Sequence, residues 1–232
     1  MPKILFALTG SDHWTLNDGT KHPTGFWAEE VLSPLEVFSE AGIDVDLASP
    51  EGKTPVVDEG SLAADTIGEE ESVKQRKALD ALSDRLESTL VLADVDLDSY
   101  DAVFVPGGHG PMEDLAVSED LGRILVTMLD GGKVVSSVCH GPAGLLPATR
   151  ADGSWLFAGR QLTAFTDAEE EQAGLADKAP WLLESRLREA GATFSSGDAW
   201  APHVVVDDKL VTGQNPASST EAAHKVVGLL KP

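Results

Sequence analysis

Cysteine is nearly missing from this chain: Cys139 is the one thiol among 232 residues. A single thiol closes no internal disulfide, and the usual structural zinc sites draw on several. Cations are scarce too, with 17 Lys and Arg against 39 Asp and Glu and a formal charge of −22. Such a field repels polyanions at long range, which removes nucleic acid and anionic membranes from the expected partners. No apolar run reaches the length of a membrane span, and the opening MPKILFALTG is too short and too weakly charged for a signal peptide. These absences lead to the expectation of a cytoplasmic protein in a reducing compartment. The histidines His13, His22, His109, His140, His203 and His224 show no HxxxH or HxxE spacing on one helix, so no metal is expected. The acidic excess is the composition of a surface that stays hydrated at high salt.

What the chain does hold is 42% hydrophobic residues, enough for a substantial core. Residues 3–9 read as a first buried strand, closed by Gly10-Ser11-Asp12 and followed by the polar loop SDHWTLNDGTKHPTG. Thr24 stands where an N-cap would, ahead of a helix with Phe26, Val31, Leu35 and Phe38 on its apolar side, Pro34 inside it to kink it, and Gly42 at its end. Residues 43–48 form a second strand. About residues 50–97 the chain turns polar and acidic, with helical spacing of Leu79, Leu82 and Leu86, and reads as an excursion too polar for a core of its own. A strand at 100–105, a helix at 118–130 and a strand at 134–138 follow, then a small-residue helix after Gly141-Pro142. A short strand at 161–165, an acidic segment that begins a helix, a helix at 180–190, a hairpin joined at Asp207-Asp208 and a helix at 218–230 complete the chain. Alternating strands and helices predict one α/β domain over residues 1–232, a doubly wound, mostly parallel sheet with helices on both faces.

In such a sheet ligands bind beyond the carboxyl ends of the strands, and the chemistry-bearing residues fall there. Cys139 ends the run 134–138 on a strand-to-helix turn, which lifts a nucleophile above the sheet edge. The free N–H groups of the following turn are expected to favour its thiolate. The turn Pro106-Gly107-Gly108-His109-Gly110 lets backbone approach a ligand and offers N–H donors to an oxyanion, with His109 placed to touch substrate. It has neither a P-loop lysine nor dinucleotide spacing, so no nucleotide cofactor is expected. His140, next to the cysteine, is a candidate base, and the acidic run Asp167, Glu169, Glu170, Glu171 supplies candidates to orient it. Glu29 or Glu30 on the first helix could face the same cleft, where burial would raise its pKa into the range of a proton carrier.

The stretches TGFWAEE, FVPGGHG, VCHGPAGL, LTAFTDAEE and LVTGQNPAS together resemble the ThiJ/PfpI superfamily, whose fold is that of the class I glutamine amidotransferases, and within it the glyoxalase III and heat-shock chaperone group. The resemblance implies Cys139 as nucleophile, His140 as its base, Glu170 as the residue that orients His140, and Glu30 rather than Glu29 as the carboxylate beside the thiol. It implies an oxyanion site from the N–H groups of Gly108 and His140, no cofactor, and a homodimer. The implied reaction is glutathione-independent conversion of methylglyoxal to lactate through a cysteine hemithioacetal, with protein deglycation beside it. The alternatives are a holdase chaperone with a redox-sensing cysteine, acting on unfolded or glycated clients, and a cysteine amidase or peptidase. The histidine abutting the cysteine departs from the glutamine amidotransferase arrangement, and the first loop, with His13, Trp14 and His22, would change substrate choice if it lids the cleft.

Overall fold

Along KILFA, Ile4 and Phe6 face one side of the strand and Leu5 and Ala7 the other, and all four are fully buried. A strand apolar on both faces must be covered on both faces. In the computed structural model, which describes residues 1–231, this strand is β1 (Lys3–Ala7) and lies inside a seven-stranded sheet. The other strands, in chain order, are β2 (His13–Thr15), β3 (Lys21–Pro23), β4 (Asp44–Ser49), β5 (Leu90–Val91), β6 (Ala102–Val105), β7 (Val134–Val138), β8 (Gln161–Leu162), β9 (Thr193–Phe194), β10 (Val204–Asp207) and β11 (Leu210–Gly213). The large sheet runs β10-β11-β7-β6-β1-β4-β5, parallel throughout except for the antiparallel β10–β11 edge pair.

The helices are α1 (Ala28–Glu40), α2 (Ala64–Ile67), α3 (Glu69–Glu87), α4 (Gly110–Glu113), α5 (Glu119–Asp130), α6 (Asp167–Ala173), α7 (Leu183–Glu189) and α8 (Ser219–Leu230). One core joins Ile4, Phe6 and Phe104 of the sheet to Val31 and Phe38 of α1, Leu82 and Leu86 of α3, and Val226 of α8. The other joins Leu5, Val103 and Val135 to Ile124 and Met128 of α5 and Leu187 of α7. The chain leaves β1 toward β4 and returns on its far side as β6, so the strand order reverses between β1 and β6. That reversal opens a crevice at their carboxyl ends.

Several elements differ from the sequence expectation, each for a local reason. No α-helix follows Cys139; Gly141–Leu145 is a fully buried 3-10 turn, since Gly141, Pro142 and Gly144 supply little helix propensity. The segment 161–165 contributes only β8, which pairs with β9 in a separate two-stranded sheet, because Thr163 N–H donates to the Thr212 side chain instead of continuing a ladder. The first helix starts three residues later than expected, with Trp27 at its N-cap, while Thr24 donates to Asp58 Oδ2 at 2.6 Å. It continues through Pro34. The helix expected from residue 180 starts at Leu183. The polar excursion does not stay outside the fold: α3 buries Leu82 and Leu86 against α1's layer, and β5 adds the last strand of the sheet. The polar loop after β1 folds as the β2–β3 ribbon.

Candidate active site

The geometry begins at Cys139, the residue after β7. Its φ is +58°, the left-handed region that a side chain other than glycine rarely occupies, and strain of this kind persists only where the surroundings impose it. They do so on both sides of the residue. Cys139 N–H donates to Gly213 O at 2.9 Å, and Phe165 N–H donates to Cys139 O at 2.9 Å. Gly141 completes the elbow because a Cβ there would lie 2.2 Å from Val105 O.

Beneath the thiol lies Glu30, in the first turn of α1 and 0% exposed. Its Oε2 accepts Gly107 N–H at 2.6 Å, the Cys139 thiol faces the same carboxyl, and Oε1 has no hydrogen-bond partner. Glu29, the adjacent alternative, lies half-buried. Removal from water pushes Glu30 up to about 8, against the pull of the Cys139 and Gly107 hydrogen bonds. Gly107 touches everything at once: a Cβ would meet His140 N at 2.6 Å, Glu30 Oε2 at 2.8 Å and the Cys139 Cβ at 2.9 Å. Gly108, at φ +85°, turns its N–H toward the thiol, as His140 does. These two donors do not make the thiolate the resting form, contrary to the expectation from the turn alone. Burial first, and the Glu30 charge second, push the Cys139 thiol well above its ordinary value and outweigh the N–H groups.

His140 joins the thiol to Glu170. Its Nδ1 lies 3.4 Å from Cys139 Sγ, and its Nε2 lies 2.6 Å from Glu170 Oε2. Burial lowers the His140 pKa, with His109 adding to the effect, so the imidazole is neutral near pH 7. Burial works to raise Glu170, but the two imidazoles His140 and His109 hold it well below the usual carboxylate range. An ionised Glu170 only accepts, so His140 carries its proton on Nε2 and turns an Nδ1 lone pair to the thiol. His109 Nε2 lies 2.9 Å from Glu170 Oε1, and its ring centroid is 4.1 Å from that of His140. Each carboxylate oxygen of Glu170 thus serves one imidazole.

Three features of the site walls take their contacts only from the tertiary structure. Trp14 of the β2–β3 ribbon is buried and stacks on His109, centroids 5.1 Å apart, and His22 meets the same ring edge-on at 6.1 Å. Phe165 packs on the other side of His140 at 4.4 Å and carries the Trp200 indole at 5.4 Å. Glu169, fully buried, accepts the N–H of Trp200 at 2.8 Å, the amides of Gln214 and Asn215 at 3.1 and 2.8 Å, and both the N–H and hydroxyl of Thr166 at 2.9 and 2.8 Å. The Thr166-Asp167-Ala168-Glu169 pattern of a capping box was the available signal for this residue. It fixes α6, and so the adjacent Glu170, against the loops of Trp200 and Asn215.

The comparisons with known proteins agree in kind. The model of the DJ-1/PfpI family matches residues 23–229. The chain is 34% identical to "Glyoxalase 3" of Candida albicans, over 98% of each chain, and 34% identical to "Glutathione-independent glyoxalase HSP31" of Saccharomyces cerevisiae, over 99% of this chain and 98% of that one. The solved structure of glyoxalase III from Candida albicans superposes with a TM-score of 0.85 at 32% identity, covering 99% of this chain and 98% of that chain. "Protein/nucleic acid deglycase HchA" of Staphylococcus aureus is 29% identical over 97% of this chain and 78% of its own length.

Proposed function

The chain belongs to the DJ-1/PfpI family, and from that premise we propose that it is a glutathione-independent glyoxalase that turns methylglyoxal into lactate. The observation that carries this reading is the placement of one thiol between two proton carriers: His140 Nδ1 at 3.4 Å on one side and the Glu30 carboxyl, raised to about 8, on the other. His140 takes the thiol proton as Cys139 Sγ adds to the aldehyde carbon. The carbonyl oxygen then becomes the hydroxyl of a hemithioacetal, stabilised by the Gly108 and His140 N–H groups. Removal of the proton on that carbon and its return to the neighbouring carbon, through an enediol, gives a thioester. Glu30 suits this shuttle, because a carboxyl poised near neutral pH both accepts and returns a proton at low cost. Water hydrolyses the thioester, releasing lactate and the free thiol, so the net change is addition of one water. Glu170 keeps His140 in the tautomer the first step needs, as the aspartate of a serine-protease triad does.

A small carbonyl fits better than a protein-borne one, since Cys139 is 3% and His140 1% exposed. Deglycation of proteins is therefore the secondary reading, supported by the deglycase relative. The same proposal includes a cytoplasmic homodimer; within the described residues no helix is long and apolar enough to cross a membrane. Lactate formation from methylglyoxal without glutathione tests the proposal. Wild type should turn over and Cys139→Ala should not, with unchanged circular dichroism; activity retained in Cys139→Ala sinks it. Suppression of client aggregation that survives Cys139→Ala would instead favour a holdase.

A further inference from the structure

Glu170 and its two histidines have the dimensions of a metal site as well as of a hydrogen-bonded relay. We propose that His109 Nε2, His140 Nε2 and the Glu170 carboxylate bind one Zn2+ in competition with the proton relay, and that the bound ion switches Cys139 off. The three donor groups are all buried, and one ligand atom from each lies within 4.8 Å of the others. Ligands about 2.0–2.2 Å from one tetrahedral zinc ion stand roughly 3.4 Å apart. The observed Nε2 to oxygen separations are 2.9 Å for His109 and 2.6 Å for His140, so an ion between them needs the donors to open by roughly 0.5–0.8 Å. Two imidazoles and a carboxylate are a donor set for borderline metals such as Zn2+ and not for Ca2+ or Mg2+. The set was invisible to a search for spacing within one helix, since the residues come from the loops after β6 and β7 and from α6, with Glu170 lying 61 and 30 positions from its partners.

Occupancy has a chemical consequence at the thiol. Zn2+ takes the Nε2 lone pair of His140, so the proton that this neutral ring carried on Nε2 moves to Nδ1. His140 then presents Nδ1–H to Cys139 Sγ, a donor where a base is required. It no longer accepts the thiol proton, and Glu170 no longer holds the active tautomer. The site is therefore inhibitory, and it joins turnover to the free concentration of a borderline metal.

Binding is testable without turnover. Metal-free Cys139→Ala protein, which lacks a competing sulfur ligand, is titrated with Co2+ as a coloured stand-in. The expected result is visible d–d bands saturating at one ion per chain, displaced by Zn2+, with a higher Tm in the metal-bound protein. Adding His109→Gln should weaken binding by about 100-fold, with Glu170→Gln as a second loss variant should the first fail to fold. No bands in Cys139→Ala protein, or equal affinity with and without His109, overturns the proposal, the latter by placing the metal on the acidic surface. The inhibitory consequence rests on the proposed activity: Zn2+ should stop lactate formation by wild type, and a chelator should restore it. Undiminished turnover in wild type saturated with Zn2+ overturns that part alone. A protein that forms no lactate yet binds Co2+ through His109 leaves the site standing and the glyoxalase reading rejected.

Discussion

A carboxyl with no cation near it and one oxygen without a hydrogen-bond partner is an expensive thing to bury, and Glu30 is the residue that bears this cost. Because burial lifts it to about 8, the folded protein holds a proton that the unfolded chain releases at lower pH. Stability contributed by this group is therefore greatest in acid and declines as pH rises from the unfolded-state carboxylate value through about 8. In a Cys139→Ala background, where no thiol shares the titration, Glu30→Gln should gain in Tm over its parent as pH is raised from about 5 to about 9. A difference that stays constant across that range would show Glu30 to be ionised throughout. For Glu170 the argument is one of tautomer, not charge alone. Glu170→Gln offers His140 an amide in place of a carboxylate, and kcat/KM for methylglyoxal should fall by up to about ten-thousandfold, the loss seen when the orienting carboxylate of a serine-protease triad becomes an amide. Steady-state kinetics would measure it, and a loss below about tenfold would remove Glu170 from the relay.

Among the elements, the turn after β6 matters most, because it lies against α1 and the elbow together. Gly107 has no positive φ; only space forbids a side chain there. Gly19, at φ +80° with nothing within 4 Å of its missing Cβ, is the opposite case. Gly19→Ala should cost about 1–2 kcal/mol from backbone strain and leave activity intact. Gly107→Ala should cost about 1–3 kcal/mol by overpacking and also remove activity, since the methyl displaces Glu30, His140 and Cys139. Denaturant melts with parallel lactate assays separate the two, and equal activities would show that the turn yields without moving the site. The β2–β3 ribbon belongs to this scale as well. Its Trp14 is the wall behind His109, which explains why a loop dense in turn formers still buries an indole.

Over the whole molecule the dominant quantity is the charge of −22. Self-repulsion of that size destabilises the compact state and is screened by salt, with a Debye length that falls from about 10 Å at 0.1 M to about 3 Å at 1 M. Tm should rise between low and molar salt, as calorimetry at fixed pH would show; a flat or falling Tm would mean that the surface ion pairs, such as Arg150 with Asp130 at 2.8 Å, offset the repulsion. The same excess explains why polar α3 can lie in the fold. Its acidic face stays in water while Leu82 and Leu86, with Leu79 packed beside them, are committed to the core.

The sequence by itself determined the α/β class, the succession of the main strands along the chain and the position of Cys139 at the end of one, because short apolar runs and glycine turns are local signals. Residues 134–138 form β7 with the expected bounds, and the expected hairpin forms with its turn one residue later, at Asp208-Lys209. It named Glu30 and Glu170 only through resemblance, since adjacent glutamates on one helix are alike until one of them is buried. Tertiary structure alone decided that Glu30 and not Glu29 lies under the thiol, that the thiol is held protonated despite two N–H donors, and that His109 turns to Glu170. It also decided that the segment 161–165 leaves the main sheet. Each depends on desolvation or on contacts between residues far apart in the chain, and neither has a signature in local spacing.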